Sequence, residues 1–124
     1  MKLIFLNDRL HCILGILGLV LVFFGSVTSS PFPPTSLVTF SDKFIHSLAY
    51  GLLSFWFVQL VEPKRYLYLG GALFCYGALI EYIQGQLPHR SASGLDMLAN
   101  FIGIVLAIGI WTALVKALPK GAKQ

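Results

Sequence analysis

Four long stretches of this chain carry no Asp, Glu, Lys or Arg: Leu10 to Ser41, Phe44 to Val61, Tyr66 to Ile80, and Met97 to Val115. Runs this long and this apolar leave little polar surface for water, and 124 residues enclose too small a volume to hide them. With 56% hydrophobic and 11% charged residues and a mean hydropathy of +0.79, the chain lies far from the soluble average. An ordinary water-soluble domain, a disordered chain and a nucleic-acid-binding module are all excluded. The solvent for most of this protein is lipid.

The net charge of +4 and pI near 9.3 do not point to a polyanion. The basic residues sit singly or in pairs at the ends of the apolar runs, as topology signals do. A membrane-spanning helix needs about 20 residues, so the chain has room for four and their short loops. The first run contains Ser26-Val-Thr-Ser-Ser-Pro-Phe-Pro-Pro34, whose prolines end a helix. The expected spans are therefore about 10–27, 43–61, 66–85 and 95–116. Together they make an all-α four-transmembrane-helix bundle, a single domain over residues 1–124 with no internal repeat. Residues 1–30 also read as a signal peptide, with a basic start, an apolar middle and small residues after it. Asp8 and the odd three-helix remainder favour a retained span.

Orientation follows from the cations. Lys2, Arg9, Lys64, Arg65, Lys116, Lys120 and Lys123 fall on one side of such a bundle, against Lys43 and Arg90 on the other. Seven against two places both termini in the cytoplasm. Cys12 and Cys75 have no second ligand at metal spacing and are expected reduced and buried. Trp111, Tyr66 and Tyr68 read as aromatic anchors near the inner face, His11 as an interface residue and His89 as a loop residue.

Polar residues inside the spans carry the functional information. Asp42, His46, Tyr50 and Ser54 recur at i+4 and so share one helix face, with Lys43 beside Asp42. Gly77, Glu81 and Gln84 form a second stripe, and Asp96, Asn100, Gly103 and Ala107 a third. With the topology above, Asp42, His46, Glu81, Gln84, Asp96 and Asn100 all fall in the outer half of the bilayer, and Arg90 lies in the loop between two of these helices. Lipid-facing charges would cost about 2.5–3.5 kcal/mol each at the bilayer centre, so the stripes are expected to face one another. Only 15 uncharged residues precede Glu81 in its span, from Tyr66 to Ile80. Its expected partners are His46, Lys43 or Arg90.

Structural roles compete for the same residues. Ser93-Gly-Leu-Asp96 matches a capping box opening the last span. Asp42 reads as an N-cap of the second. Asn100 reads as an interhelical hydrogen-bonding residue, and Gly103 with Ala107 as a close-approach surface. Tyr50 reads as a core residue with a locally satisfied hydroxyl, and a lone His46 as a packed histidine.

Asp42-Lys-Phe-Ile-His46 followed by Tyr50 resembles the D-K-x-x-H-x-x-x-Y start of a helix in VanZ-like membrane proteins. Glu81-Tyr-Ile-Gln84, then Arg90, then Asp96-Met-Leu-Ala-Asn100 with Gly103 resembles that family's E-x-x-Q, R and D-x-x-x-N-x-x-G series. The resemblance spans about residues 40–108 and lies in the order and spacing of the pieces together. Ser93-Gly94 departs from it, where a bulkier apolar or acidic residue is expected. The resemblance implies a small multi-span protein of the bacterial cytoplasmic membrane, in a family whose founder lowers susceptibility to teicoplanin.

Three functions are open at this level. The first is an outer-leaflet site, formed by Asp42, Lys43, His46, Tyr50, Glu81, Gln84, Arg90, Asp96 and Asn100, for a membrane lipid or a lipid-linked cell-wall intermediate. Arg90 and Lys43 would take the phosphate and the carboxylates an amine or sugar hydroxyl. The second is an enzyme in which His46, Glu81 and Asp96 supply acid–base or metal-dependent chemistry on a head group. No serine or cysteine sits in a nucleophile motif. The third is a scaffold whose stripes only specify packing. No cofactor or metal is assigned by sequence spacing, and no discontinuous helix marks a transporter.

Overall fold

The computed structural model describes residues 6–28, 36–88 and 90–119, with backbone alone over 36–40. His89 lies outside the described residues. The first helix, α1 (Asp8–Val27), opens where the Asn7 side chain accepts the Leu10 N–H at 2.8 Å. It closes at Thr28, whose hydroxyl and backbone N–H both donate to the Phe24 carbonyl. The second, α2 (Ser36–Phe57), runs on into a 3-10 turn at Val58–Leu60. Pro63–Arg65 forms another such turn and leads directly into α3 (Tyr66–Gln84). The last, α4, covers Gly94–Ala117. Among the described residues there are four α-helices and no strand.

The start of α2 differs most from expectation. The helix begins at Ser36 rather than near residue 43, because no breaker follows Pro34. Asp42 therefore stands inside the helix and is not its N-cap. Ser93 does occupy the N-cap position of α4, but no side-chain capping bond forms there.

Close approach of backbones sets the packing. The most extensive helix contact is α2 on α4, with α3 against α4, and α1 against α2 and α3. A Cβ placed on Gly103 would stand 2.1 Å from the Ser47 carbonyl oxygen, and one on Gly51 would stand 3.3 Å from the Gly103 oxygen. No side chain fits between α2 and α4 at that level. Tyr50, Leu53, Leu73 and Ile104 form the apolar core beside this crossing.

Outside, the bundle is apolar on every helix. Leu21, Phe24, Phe44, Leu52, Leu67, Leu79, Leu106 and Ile110 are all exposed, while His46, Ser54, Glu81, Gln84, Asp96 and Asn100 are buried. Polar groups inside and hydrocarbon outside is the arrangement lipid demands. Three helical segments, Asp8–Val27, Pro63–Gln84 and Gly94–Ala117, are long and apolar enough to cross a membrane. The remaining helix, α2, carries the densest polar stripe, and the bundle buries that stripe.

Three sequence expectations are corrected by this packing. Cys12 and Cys75 are free but exposed on the apolar exterior. Trp111 is buried, donating from Nε1 to the Tyr66 hydroxyl at 2.9 Å, and so belongs to the core and not to an anchor belt. Tyr68 is exposed. His11 is completely buried, its Nε2 lying 3.0 Å from the Trp56 carbonyl while Trp56 Nε1 donates to the His11 carbonyl at 3.0 Å.

Candidate functional site

The three polar stripes meet at one end of the bundle, where α2 begins, α3 ends and α4 begins. Helical periodicity places Asp42, His46 and Tyr50 in line on α2, and Asp96 with Asn100 on α4. The Gly51–Gly103 crossing brings these two rows together. Lys43 Nζ donates to Asp96 Oδ1 at 3.0 Å, forming a partly buried ion pair. One turn deeper, His46 Nδ1 lies 3.2 Å from Asn100 Oδ1, and because an amide oxygen only accepts, Nδ1 is the donor in this pairing. One ligating atom each from Asp42, His46 and Asp96 lie within 4.8 Å of one another.

Glu81 joins this cluster by an unexpected route. Its Oε2 accepts the Ser93 backbone N–H at 2.8 Å, and not a hydrogen bond from His46, Lys43 or Arg90. A capping box would have used Asp96 for that N–H. Glu81 performs the task from another helix and leaves Asp96 free for Lys43. The second oxygen, Oε1, is buried with no hydrogen-bond partner among the described residues. Glu81 is near enough to Asp96, His46 and Asp42 to interact electrostatically with all three.

Gln84 and Arg90 turn away from the cluster toward α1. Gln84 Nε2 donates to the Ser26 carbonyl at 2.7 Å. Arg90 donates from Nη2 and Nε to the Thr28 carbonyl at 2.6 and 3.2 Å. Deeper in the bundle the Tyr76 hydroxyl donates to the Leu19 carbonyl. Side chains from the rest of the bundle thus grip the backbone of α1. Sequence reasoning had no signal for these acceptors, because every residue has a carbonyl.

A cavity of about 300 Å³ opens between α1 and α2 beside the cluster. Asp42, His46, Tyr50 and Arg90 line it together with Leu21, Val22, Ile45 and Ala49. Tyr50 is buried, yet its hydroxyl has no hydrogen-bond partner among the described residues. The same holds for the Ser54 hydroxyl. Gly77 makes room for this arrangement, since a Cβ there would stand 2.8 Å from Asn100 Nδ2 and 3.2 Å from the Tyr50 ring.

Of the residues expected at a site, Asp42, Lys43, His46, Asp96 and Asn100 are brought into one cluster, with Glu81 beside it. Tyr50 and Arg90 stand on the cavity wall, and Gln84 serves the α1 contact. Chemically, the assembly offers a guanidinium with unused donors, a partly paired ammonium, three carboxylates and an oriented imidazole next to an apolar slot. Compared with known proteins, the chain has no significant match to a family model, a curated protein or a solved structure.

Proposed function

We propose that this is a multi-pass protein of a bacterial cytoplasmic membrane that binds a phosphate-bearing lipid head group at the outer end of its bundle. The supporting observation is the cavity between α1 and α2, polar at one end and apolar along Leu21, Val22, Ile45 and Ala49. Its volume of about 300 Å³ is at the small end for ligand pockets and matches a head group better than a whole lipid. Arg90 has five N–H donors, of which Nε and one on Nη2 hold the Thr28 carbonyl. The remainder are available to phosphate oxygens. Asp42, which has no hydrogen bond or ion pair among the described residues, would accept from an amine or a sugar hydroxyl.

The cation count supports an orientation with both termini in the cytoplasm, which would put this cavity in the outer half of the bilayer. The motif resemblance to VanZ-like proteins adds the bacterial envelope, and with it membrane phospholipids or lipid-linked cell-wall intermediates as ligands and glycopeptide susceptibility as the phenotype. A scaffold reading fits less well. Polar groups that only glue helices satisfy one another, whereas the Tyr50 hydroxyl and Glu81 Oε1 are buried without partners among the described residues. The imidazole on the cavity wall keeps head-group hydrolysis as a second reading.

Native mass spectrometry of the protein in mild detergent, with phosphatidylglycerol and an undecaprenyl-phosphate lipid added, tests the proposal. Arg90→Gln and the cavity-filling Ala49→Trp should each lose the adduct that the wild type retains. Equal adducts on all three proteins would refute it.

A further inference from the structure

We propose that Asp42, His46 and Asp96 form a binding site for a first-row divalent metal ion, of which Zn²⁺ and Mn²⁺ fit the donor set best. Their ligating atoms lie within 4.8 Å of one another. A tetrahedral ion with bonds of about 2.1 Å sets its ligands about 3.4 Å apart, so side-chain movements of about 1 Å or less close the site. Asp42 and His46 stand at i and i+4 on one face of α2, the spacing by which a helix presents two ligands to one ion. Asp96 arrives from α4 across the most extensive helix contact in the bundle.

Charge supplies an independent reason. Asp42, Glu81 and Asp96 bring three carboxylates together, and Lys43 pairs with Asp96 alone. Arg90, hydrogen-bonded to the Thr28 carbonyl, forms no ion pair with these carboxylates among the described residues. Glu81 is 5% exposed, and its Oε1 is buried without a donor among the described residues. Buried anions in excess of cations are costly unless a cation joins them. A divalent ion between Asp42, His46 and Asp96 would offset that excess.

The surroundings match those of a metal ligand. Asn100 is 1% exposed and holds the imidazole through Nδ1. The tautomer that donates from Nδ1 leaves the Nε2 lone pair for a metal, and such outer partners fix ring orientation at known sites. The imidazole favours a transition-metal ion such as Zn²⁺ over Ca²⁺ and Mg²⁺, and the two carboxylates also suit Mn²⁺. Because Asp42 and His46 also line the cavity, an ion there would face a bound phosphate. The site deepens the head-group proposal, yet binding of the ion alone does not require it.

The test is titration of the chelator-stripped full chain in detergent with Zn²⁺ alone and Mn²⁺ alone, followed by calorimetry and Mn²⁺ electron paramagnetic resonance. One ion per chain is expected. Asp42→Asn breaks no hydrogen bond among the described residues, so it should fold normally and weaken binding 100-fold or more. Asn100→Ala should weaken it about 10–100-fold. Lys43→Met removes a competing cation and should tighten it. Glu62→Gln, at the other end of the bundle, should change nothing. Equal affinity in wild type and Asp42→Asn, or no binding below millimolar ion, would overturn the site. Lipid adducts that persist on a protein binding no ion would overturn this site and leave the head-group proposal standing.

Discussion

Gly103→Ala is the substitution with the most localised predicted damage. The new Cβ would stand 2.1 Å from the Ser47 oxygen and 2.9 Å from its carbonyl carbon. A carbon and an oxygen rest at about 3.3 Å even in favourable C–H···O contacts, so the overlap is about 1.2 Å. Both obstructing atoms are backbone, and no rotamer relieves them. The helices α2 and α4 must part by about 1 Å. His46 and Asn100 sit within one turn of this point and their hydrogen bond is already 3.2 Å long, so it breaks. Overpacking of about 1–3 kcal/mol and one interhelical hydrogen bond together give a loss of about 2–4 kcal/mol. Two further glycines calibrate the experiment. Gly51→Ala meets the Gly103 oxygen at 3.3 Å and should cost under about 1 kcal/mol. Gly109→Ala meets nothing within 4 Å and should gain up to about 1 kcal/mol from helix propensity. Thermal unfolding in detergent, followed by the fluorescence of Trp56 and buried Trp111, ranks the three. A Gly103→Ala protein that melts together with Gly109→Ala refutes the close approach of α2 and α4.

Other substitutions separate structural roles from site roles. Glu81→Ala strands the Ser93 N–H that opens α4 and should destabilise the bundle by about 1–3 kcal/mol; Glu81→Gln keeps an acceptor oxygen and should restore the melting temperature. Failure of the Gln variant to rescue would mean that the carboxylate charge itself holds the fold. Removing residues 1–28 deprives Trp56, Tyr76, Gln84 and Arg90 of their carbonyl acceptors, so the remainder should aggregate on extraction, as size-exclusion chromatography would show. A monodisperse product would contradict an integral role for α1. Cys75→Leu changes an exposed position on the apolar exterior and should shift stability by less than about 0.5 kcal/mol in the same melting assay. A large loss there would place Cys75 in a helix contact.

Much of the arrangement was legible along the chain, because its causes are local. Charge-free runs mark the helices, since lipid leaves backbone polar groups no other partner. The i+4 step of Asp42, His46 and Tyr50 places them on one face whatever else the helix touches. Gly103 was readable as a close-approach position for the same reason. Reading failed where a neighbour decides. Asp42 looked like a cap because a charge next to an apolar run usually ends a helix, yet nothing between Pro34 and Asp42 stops one. Trp111 looked like an interfacial anchor until Tyr66 supplied an acceptor inside the bundle.

The sequence by itself determined that this chain lives in lipid, that it is helical, and which residues share each helix face, because hydropathy and helical period depend only on residues near one another. Only the tertiary structure decided who pairs with whom. Glu81 takes the Ser93 N–H and thereby frees Asp96 for Lys43. Arg90 and Gln84 hold α1 through the carbonyls of Thr28 and Ser26. Asp42, His46 and Asp96 converge because two glycines let their helices touch. These pairings depend on helix rotation and separation, which are set by packing between distant segments. Half of the acceptors are backbone oxygens, which every residue carries and no sequence pattern distinguishes.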